Sequence, residues 1–399
     1  MAVRITPDAA RHVRAGHPWV FDGSIVSVRP DGDPGDLAVI FDDRRRFMAI
    51  GLYDPASAIR IKVLHHGRPT PIDEAFWIDR LAAALASRSR LVEDPTTTAF
   101  RWVHGENDGL PGLVLDRYGD VTVIKLYSEA WFAHLDAVLA AAQQVLAAER
   151  VVLRLARNVA VDGRESLDGS ALAGELPAQP VRFLERSLTF EADVVRGQKT
   201  GHFLDQRDNR GRVRRRAAGA RVLDVYSCTG GFSVNAAAGG ATLVHSVDIS
   251  AAAITTARRN MDHNRSLPPV RACHHHDTVG DAMAVMAEMA DRGRSFDMVV
   301  VDPPSFASRQ DQVDGALRAY GRLTQLALRL LEPGGTLVQA SCSARVSERA
   351  FFDVVDAAAE RSGVVLTDVA HTAHAVDHPV GFSEGSYLKA LFATVAPLR

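Results

Sequence analysis

From about residue 191 onward, short runs of apolar and β-branched residues alternate with longer stretches whose apolar positions recur every three or four residues. The first pattern suits strands buried on both faces, and the second suits helices lying over them. Together they predict an α/β segment with a parallel sheet covered on both sides. Its strands are expected at 221–225, 243–247, 270–273, 298–301, 336–340, 364–369 and 387–394. Residues 1–70 read differently: runs at 37–41, 47–50 and 58–63, separated by Asp, Gly and Pro turns, predict a small β-rich module. Between them, residues 73–190 predict a central α+β domain. It has helices near 78–91 and 130–148, strands at 100–104, 113–116, 121–127 and 151–155, and a Gly/Ser/Asp-rich loop at 161–180. The expected division is therefore 1–70, 73–190 and 191–399.

Composition narrows the class. With 399 residues, 47% hydrophobic and 24% charged, the chain can bury two or three cores. Its three cysteines, Cys228, Cys273 and Cys342, form no Cys-x-x-Cys pair, which argues against a disulfide framework or a zinc site. His274, His275 and His276 are consecutive, so their side chains diverge, and no metal is expected. No apolar run reaches a membrane-spanning length and no export pattern opens the chain, so a cytoplasmic protein with no membrane partner is expected. The net charge of −2 is uninformative, but residues 196–216 carry eight basic residues against two acids. Lys199, Arg207, Arg210, Arg212 and Arg214 are candidates for a phosphate-contacting stripe, and a solvated helix face is the plainer reading.

Candidate chemistry gathers where predicted strands end. In an open parallel sheet, the loops at the carboxyl ends of neighbouring strands line one crevice. One strand runs through Val222, Leu223 and Asp224 into a turn with Ser227, Cys228, Thr229, Gly230 and Gly231, where glycines allow close backbone approach at a helix start. Asp248, 24 residues after Asp224, ends the next strand and suits a ribose hydroxyl pair, and Asp277 follows as a candidate for an adenine edge. Neither Gly-x-Gly-x-x-Gly nor a phosphate loop is present. An acid ahead of a glycine turn suits a ligand with an ammonium and no phosphate, as in S-adenosyl-L-methionine. Asp302, followed by Pro303 and Pro304, and Cys342, in Ser-Cys-Ser, end two further strands and pair an acid with a thiol. Phe306 is a candidate to stack on a base, with packing as the alternative. Cys228 and Cys273 read as core residues; Trp19 and Phe21, on one side of a short strand, read as filling the amino-terminal module, with RNA-facing aromatics as the alternative.

The run Gly197-Gln198-Lys199-Thr200-Gly201-His202-Phe203-Leu204-Asp205-Gln206-Arg207, the Cys-Thr-Gly-Gly-Phe turn, the Asp-Pro-Pro and the Ser-Cys-Ser resemble the bacterial large-subunit rRNA cytosine-5 methyltransferase I family. Also similar are His17-Pro18-Trp19-Val20-Phe21, Gly105-Glu106-Asn107-Asp108-Gly109-Leu110-Pro111-Gly112, Asp377-His378-Pro379-Val380 and Tyr387-Leu388-Lys389, so the resemblance spans almost the whole chain. It implies an amino-terminal PUA-like RNA-binding domain, a central α+β domain and a Rossmann-like methyltransferase domain. It also implies S-adenosyl-L-methionine as methyl donor and a cytosine of large-subunit ribosomal RNA as acceptor. Cys342 takes the nucleophile's position, Asp302 that of the paired acid, and the Asp224 turn, Asp248, Asp277 and Asp302 those of cofactor contacts. The chain departs from the pattern at Ala344-Arg345 after Ser-Cys-Ser, at Phe306-Ala307-Ser308-Arg309-Gln310 after Asp-Pro-Pro, and at Arg157-Asn158-Val159-Ala160, and it has Ser305 where other RNA cytosine-5 methyltransferases carry a second cysteine.

Carbon 5 of cytosine is a poor nucleophile, so methylation there requires a thiolate to add first to carbon 6. Two rivals stay open: a guanine N7 methyltransferase of related architecture, which needs no thiol, and a non-catalytic RNA-binding ribosome assembly factor. Oligomeric state is left open, a homodimer being among the states allowed.

Overall fold

The computed structural model describes residues 1–159 and 163–397. The chain divides into two units. One comprises Met1–Leu184, Ala192–Leu204 and Val376–Phe382; the other comprises Glu185–Glu191, Asp205–Ala375 and the residues from Ser383 onward. The expected boundary near 190 is thus crossed more than once, since 192–204 and 376–382 fold with the amino-terminal half.

The first unit holds two sheets. A six-stranded sheet runs in the order Trp19–Phe21, Ile59–His66, Phe47–Tyr53, Leu37–Phe41, Ala2–Ile5, Ile25–Arg29. The helix Pro7–Arg14, capped by the Thr6 hydroxyl, buries Ala9, Ala10 and Val13 in the same small core as Val3, Ile40 and Ile61. A five-stranded sheet, Ala171–Ala173, Arg150–Leu155, Val121–Leu126, Leu113–Tyr118, Ala99–His104, shares its core with helices Glu74–Ala86 and Leu135–Leu146. The loop expected at 161–180 thus contains a short strand, while Val161 and Asp162, like Ala160, lie outside the described residues.

The second unit carries the sheet that places the candidate chemistry. Its strands are β1 (Arg221–Val225), β2 (Leu243–Asp248), β3 (His274–Val279), β4 (Phe296–Val301), β5 (Leu331–Ser341), β6 (Val364–Thr372) and β7 (Lys389–Pro397), in the order β3-β2-β1-β4-β5-β7-β6. Strands β3 to β5 in that order are parallel, and β7 runs antiparallel to both neighbours. The chain direction across the sheet reverses at β1 and β4, so the crevice opens beyond their carboxyl ends. Helices α1 (Arg207–Arg216), α2 (Gly231–Ala238), α3 (Ala251–His263), α4 (Ala282–Asp291), α5 (Val313–Leu330) and α6 (Glu348–Arg361) cover it. Ser250, Asp281 and Ser347 cap α3, α4 and α6 by accepting backbone N–H bonds. The described core joins Leu223, Val225, Val299 and Val301 of the sheet to Tyr320, Leu323 and Ala327 of α5 and Phe351 and Val355 of α6.

One strand differs from expectation. Residues 268–272 form a one-turn helix started by Pro268 and Pro269, and the strand is His274–Val279. Proline at the first helical positions costs no hydrogen bond, and an edge strand needs no continuous apolar run.

Candidate active site

The turn after β1 is held open by its own backbone. Tyr226, Cys228 and Gly230 all have positive φ, at 62°, 48° and 76°. Two of these are side-chain-bearing residues in the left-handed region, a strain of the kind that gathers at functional turns. The glycines serve packing as much as access: a Cβ on Gly230 would lie 2.8 Å from the Ala257 Cβ of α3, and one on Gly231 2.8 Å from the Arg210 side chain. The Thr229 carbonyl accepts a 2.8 Å bond from Asn260 of α3, fixing the turn from the same side.

Asp224 is fully buried at the end of β1. One carboxylate oxygen accepts the Ser233 hydroxyl at 2.6 Å, and the other has no hydrogen-bond partner; nor has the buried Ser227 hydroxyl. Burial pushes the Asp224 carboxyl up to about 7, with neighbouring Asp248 adding to the shift. A ligand ammonium is the group that would complete this site. At the end of β2, Asp248 accepts the Cys228 and Ser250 backbone N–H groups at 2.8 Å each, one on each oxygen, leaving a second lone pair on each for ligand hydroxyls. The residues present therefore fit a cofactor bearing an amino group and a ribose.

Asp277 is placed differently from its expected role. It lies within β3 opposite Ser246, and its carboxylate is ion-paired with Arg258 of α3. The acid just past the end of β3 is Asp281. It is exposed, caps α4, and with Asp248 raises the Tyr226 phenol to about 12, an effect led by the ring's own burial. The apolar side chains of Ile249 and Val279, 73% and 49% exposed, stand at the ends of β2 and β3 and offer a surface for a purine ring.

Asp302 and Cys342 end β4 and β5, two neighbouring strands. The Asp302 N–H reaches the Val225 carbonyl at 3.3 Å, and the Cys342 thiol points to the Pro303 carbonyl at 3.7 Å. The serines flanking Cys342 form its mount. The Ser341 hydroxyl donates to the buried Tyr320 hydroxyl of α5 (2.8 Å), which lies 2.9 Å from the Ser343 hydroxyl; Ser343 in turn accepts the Phe306 N–H (3.0 Å) and the Ser305 hydroxyl (3.2 Å). The Asp-Pro-Pro loop and the cysteine loop are thereby tied together. Phe306 packs on Tyr320, ring centroids 5.2 Å apart, which is the packing alternative. Asp302 is oriented from behind by Gln206, whose amide donates to it at 2.9 Å; Asn209 holds Gln206, and Thr372 holds Asn209. Sequence reasoning missed Gln206, Tyr320 and Asp281; the capping position of Asp281 before an Ala-rich helix was the one available signal.

The basic stretch splits. Arg207 and Arg210, expected to meet phosphate, are 1% and 2% exposed. Arg210 forms a buried ion pair with Glu185, and Asp205 and Asp302 also lie near enough to favour its charge. A guanidinium so enclosed holds the fold rather than a ligand. Arg212 and Arg214 are half-exposed, and Lys199, in the other unit, sets its ammonium 4.3 Å from the Phe203 ring centroid. In the first unit, Val20 fills the core while Trp19 is half-buried and Phe21 46% exposed. Alternation along the strand turns both rings outward, correcting their expected core role. Among the described residues no cluster of metal-ligating side chains is present, and no helix is long and apolar enough to cross a membrane.

A family model described as S-adenosylmethionine-dependent methyltransferase matches residues 101–374, and one described as PUA-like domain matches residues 3–66. The chain is 46% identical to a ribosomal RNA large subunit methyltransferase of Deinococcus radiodurans, covering 98% of this chain and 97% of that protein. It is 34% identical to ribosomal RNA large subunit methyltransferase I of Shewanella amazonensis, covering 98% and 99%. Among solved structures, a candidate methyltransferase in complex with S-adenosylhomocysteine is similar in fold, with a TM-score of 0.84 at 21% identity over 99% of this chain and 100% of the other.

Proposed function

The chain belongs to the ribosomal RNA large subunit methyltransferase I family, which is S-adenosylmethionine-dependent, and from that premise we propose that it methylates carbon 5 of a cytosine in large-subunit ribosomal RNA, in the cytoplasm, through a transient bond to Cys342. The observation that carries this reading is the pairing at one rim of a thiol and an acid: Cys342 against the Pro303 carbonyl, with Asp302 immediately before that proline.

S-adenosylmethionine supplies a methyl group on a positively charged sulfur. Asp224 and Asp248 would hold its amino group and ribose, Asp281, just past the end of β3, would meet the adenine edge, and Ile249 and Val279 would take the ring faces. Asp302, oriented by Gln206, hydrogen-bonds the cytosine edge and stabilises the ring as charge develops. The Cys342 thiolate would then bond to carbon 6, and the displaced π pair on carbon 5 would take the methyl, the pair of the broken C–S bond staying on the donor sulfur as a neutral thioether. Loss of the carbon 5 proton to a base restores the double bond and expels the thiolate. The base must be presented unstacked for this geometry. Lys199, Arg212 and Arg214 are the remaining candidates for phosphate contacts.

RNA carrying 5-fluorocytosine at the target cannot lose a proton from carbon 5, so it should trap a gel-stable adduct with the wild type and none with Cys342→Ala, which should also lose methyl transfer. Full methyl transfer by Cys342→Ala would overturn the covalent route and favour guanine N7 instead.

A further inference from the structure

Lys389 opens β7 directly opposite Ser341, the last residue of β5. Its side chain is 5% exposed and runs beneath the loop that begins at Cys342, where the ammonium donates to the Ser343 carbonyl at 2.8 Å and the Val346 carbonyl at 2.5 Å. Among the described residues no carboxylate forms an ion pair with it. A buried cation without a carboxylate is costly, and a full negative charge nearby offsets that cost. Around this loop stand Lys389 on β7, Glu348 on α6, Tyr320 on α5 and Asp302 at the end of β4, and the loop itself carries Arg345, which is exposed to solvent. Two are acids, and Tyr320 is a buried phenol whose own ionisation is pushed up, first by burial. Lys389 is thus the cation that burial places against the cysteine loop.

We propose that Lys389 is a positioning residue that fixes the Cys342 loop through two carbonyls and favours the thiolate form of Cys342 by its charge. This rests on the reading of Cys342 as the nucleophile. The thiol proton passes to solvent while the ammonium keeps its own, leaving a thiolate beside a cation before RNA arrives. Burial draws the Lys389 ammonium down to about 8 and the Cys342 charge raises it, so it stays protonated at neutral pH.

The test is the rate of iodoacetamide alkylation of the full chain, without RNA, from pH 5.5 to 10, resolved by peptide mass spectrometry. Cys228 and Cys273, both raised to about 11 chiefly by burial, are internal controls. Wild-type Cys342 should show an inflection clearly below the ordinary thiol value of about 8.5. Lys389→Met should raise it by about one pH unit and slow alkylation at pH 7 about tenfold, while Lys389→Arg should restore part of the shift. A merely structural role would lower the melting temperature and leave the inflection in place. An unchanged inflection in Lys389→Met overturns the proposal. If that variant does not fold, a wild-type inflection at or above about 8.5 overturns it as well. Methyl transfer by Cys342→Ala would sink the nucleophile reading instead, so the two failures are distinguishable.

Discussion

Asp224 gives the cofactor crevice a signature that can be read without substrate. Burial pushes its carboxyl up to about 7 in the folded chain, against an ordinary value of 3.8. Between those values the folded state holds a proton that the unfolded chain has released, so stability from this group is complete at acid pH and lost as pH rises through about 7. From pH 6 to pH 8 the loss comes to about 1.4 kcal/mol. Asp224→Asn keeps an acceptor for the Ser233 hydroxyl and removes the titration. Urea unfolding of the cofactor-free proteins at pH 6 and pH 8 should therefore show the wild type losing about 1.4 kcal/mol more than the variant, with other titrating groups cancelling in the comparison. Saturating S-adenosylmethionine should shrink that difference, because a bound ammonium favours the ionised carboxylate, and the variant should bind the cofactor poorly. Equal pH dependence in the two cofactor-free proteins would refute the claim that Asp224 is stored protonated in an unfinished site.

Two further outcomes follow from the basic stretch. Arg210→Met should cost about 3–5 kcal/mol in urea unfolding by stranding the buried Glu185 carboxylate, and adding Glu185→Leu should recover most of it; a loss below about 1 kcal/mol would contradict the buried pairing. Arg212→Glu combined with Arg214→Glu should flatten the salt dependence of RNA affinity by about one to two units of log–log slope, and an unchanged slope would return both side chains to a solvated role.

The strand-end positions of Asp224, Asp248, Asp302 and Cys342 were legible because each falls where a stretch rich in β-branched and apolar residues gives way to a turn. The histidine strand β3 was not, since an edge strand with alternating exposure lacks such a run, and the apolar residues just before it belong to a proline-started helix turn. Charge counting could not separate Arg210 from Arg212: what turns Arg210 inward is Glu185, on a segment distant in sequence. The same holds for Gln206, Tyr320 and Lys389, whose roles come from neighbours 96, 21 and 46 residues away. Local pattern located the rim, whereas the residues bracing it from behind are set by sheet order.

Strand β7 follows β6 in the chain yet lies between β5 and β6 in the sheet. A nascent polypeptide translated only through β6 therefore has no place to dock that strand, and β5 presents a bare row of amide and carbonyl groups to any neighbour. Assembly of this half must await synthesis of residues 389–397. Premature termination upstream of them should yield aggregates rather than a weakened enzyme.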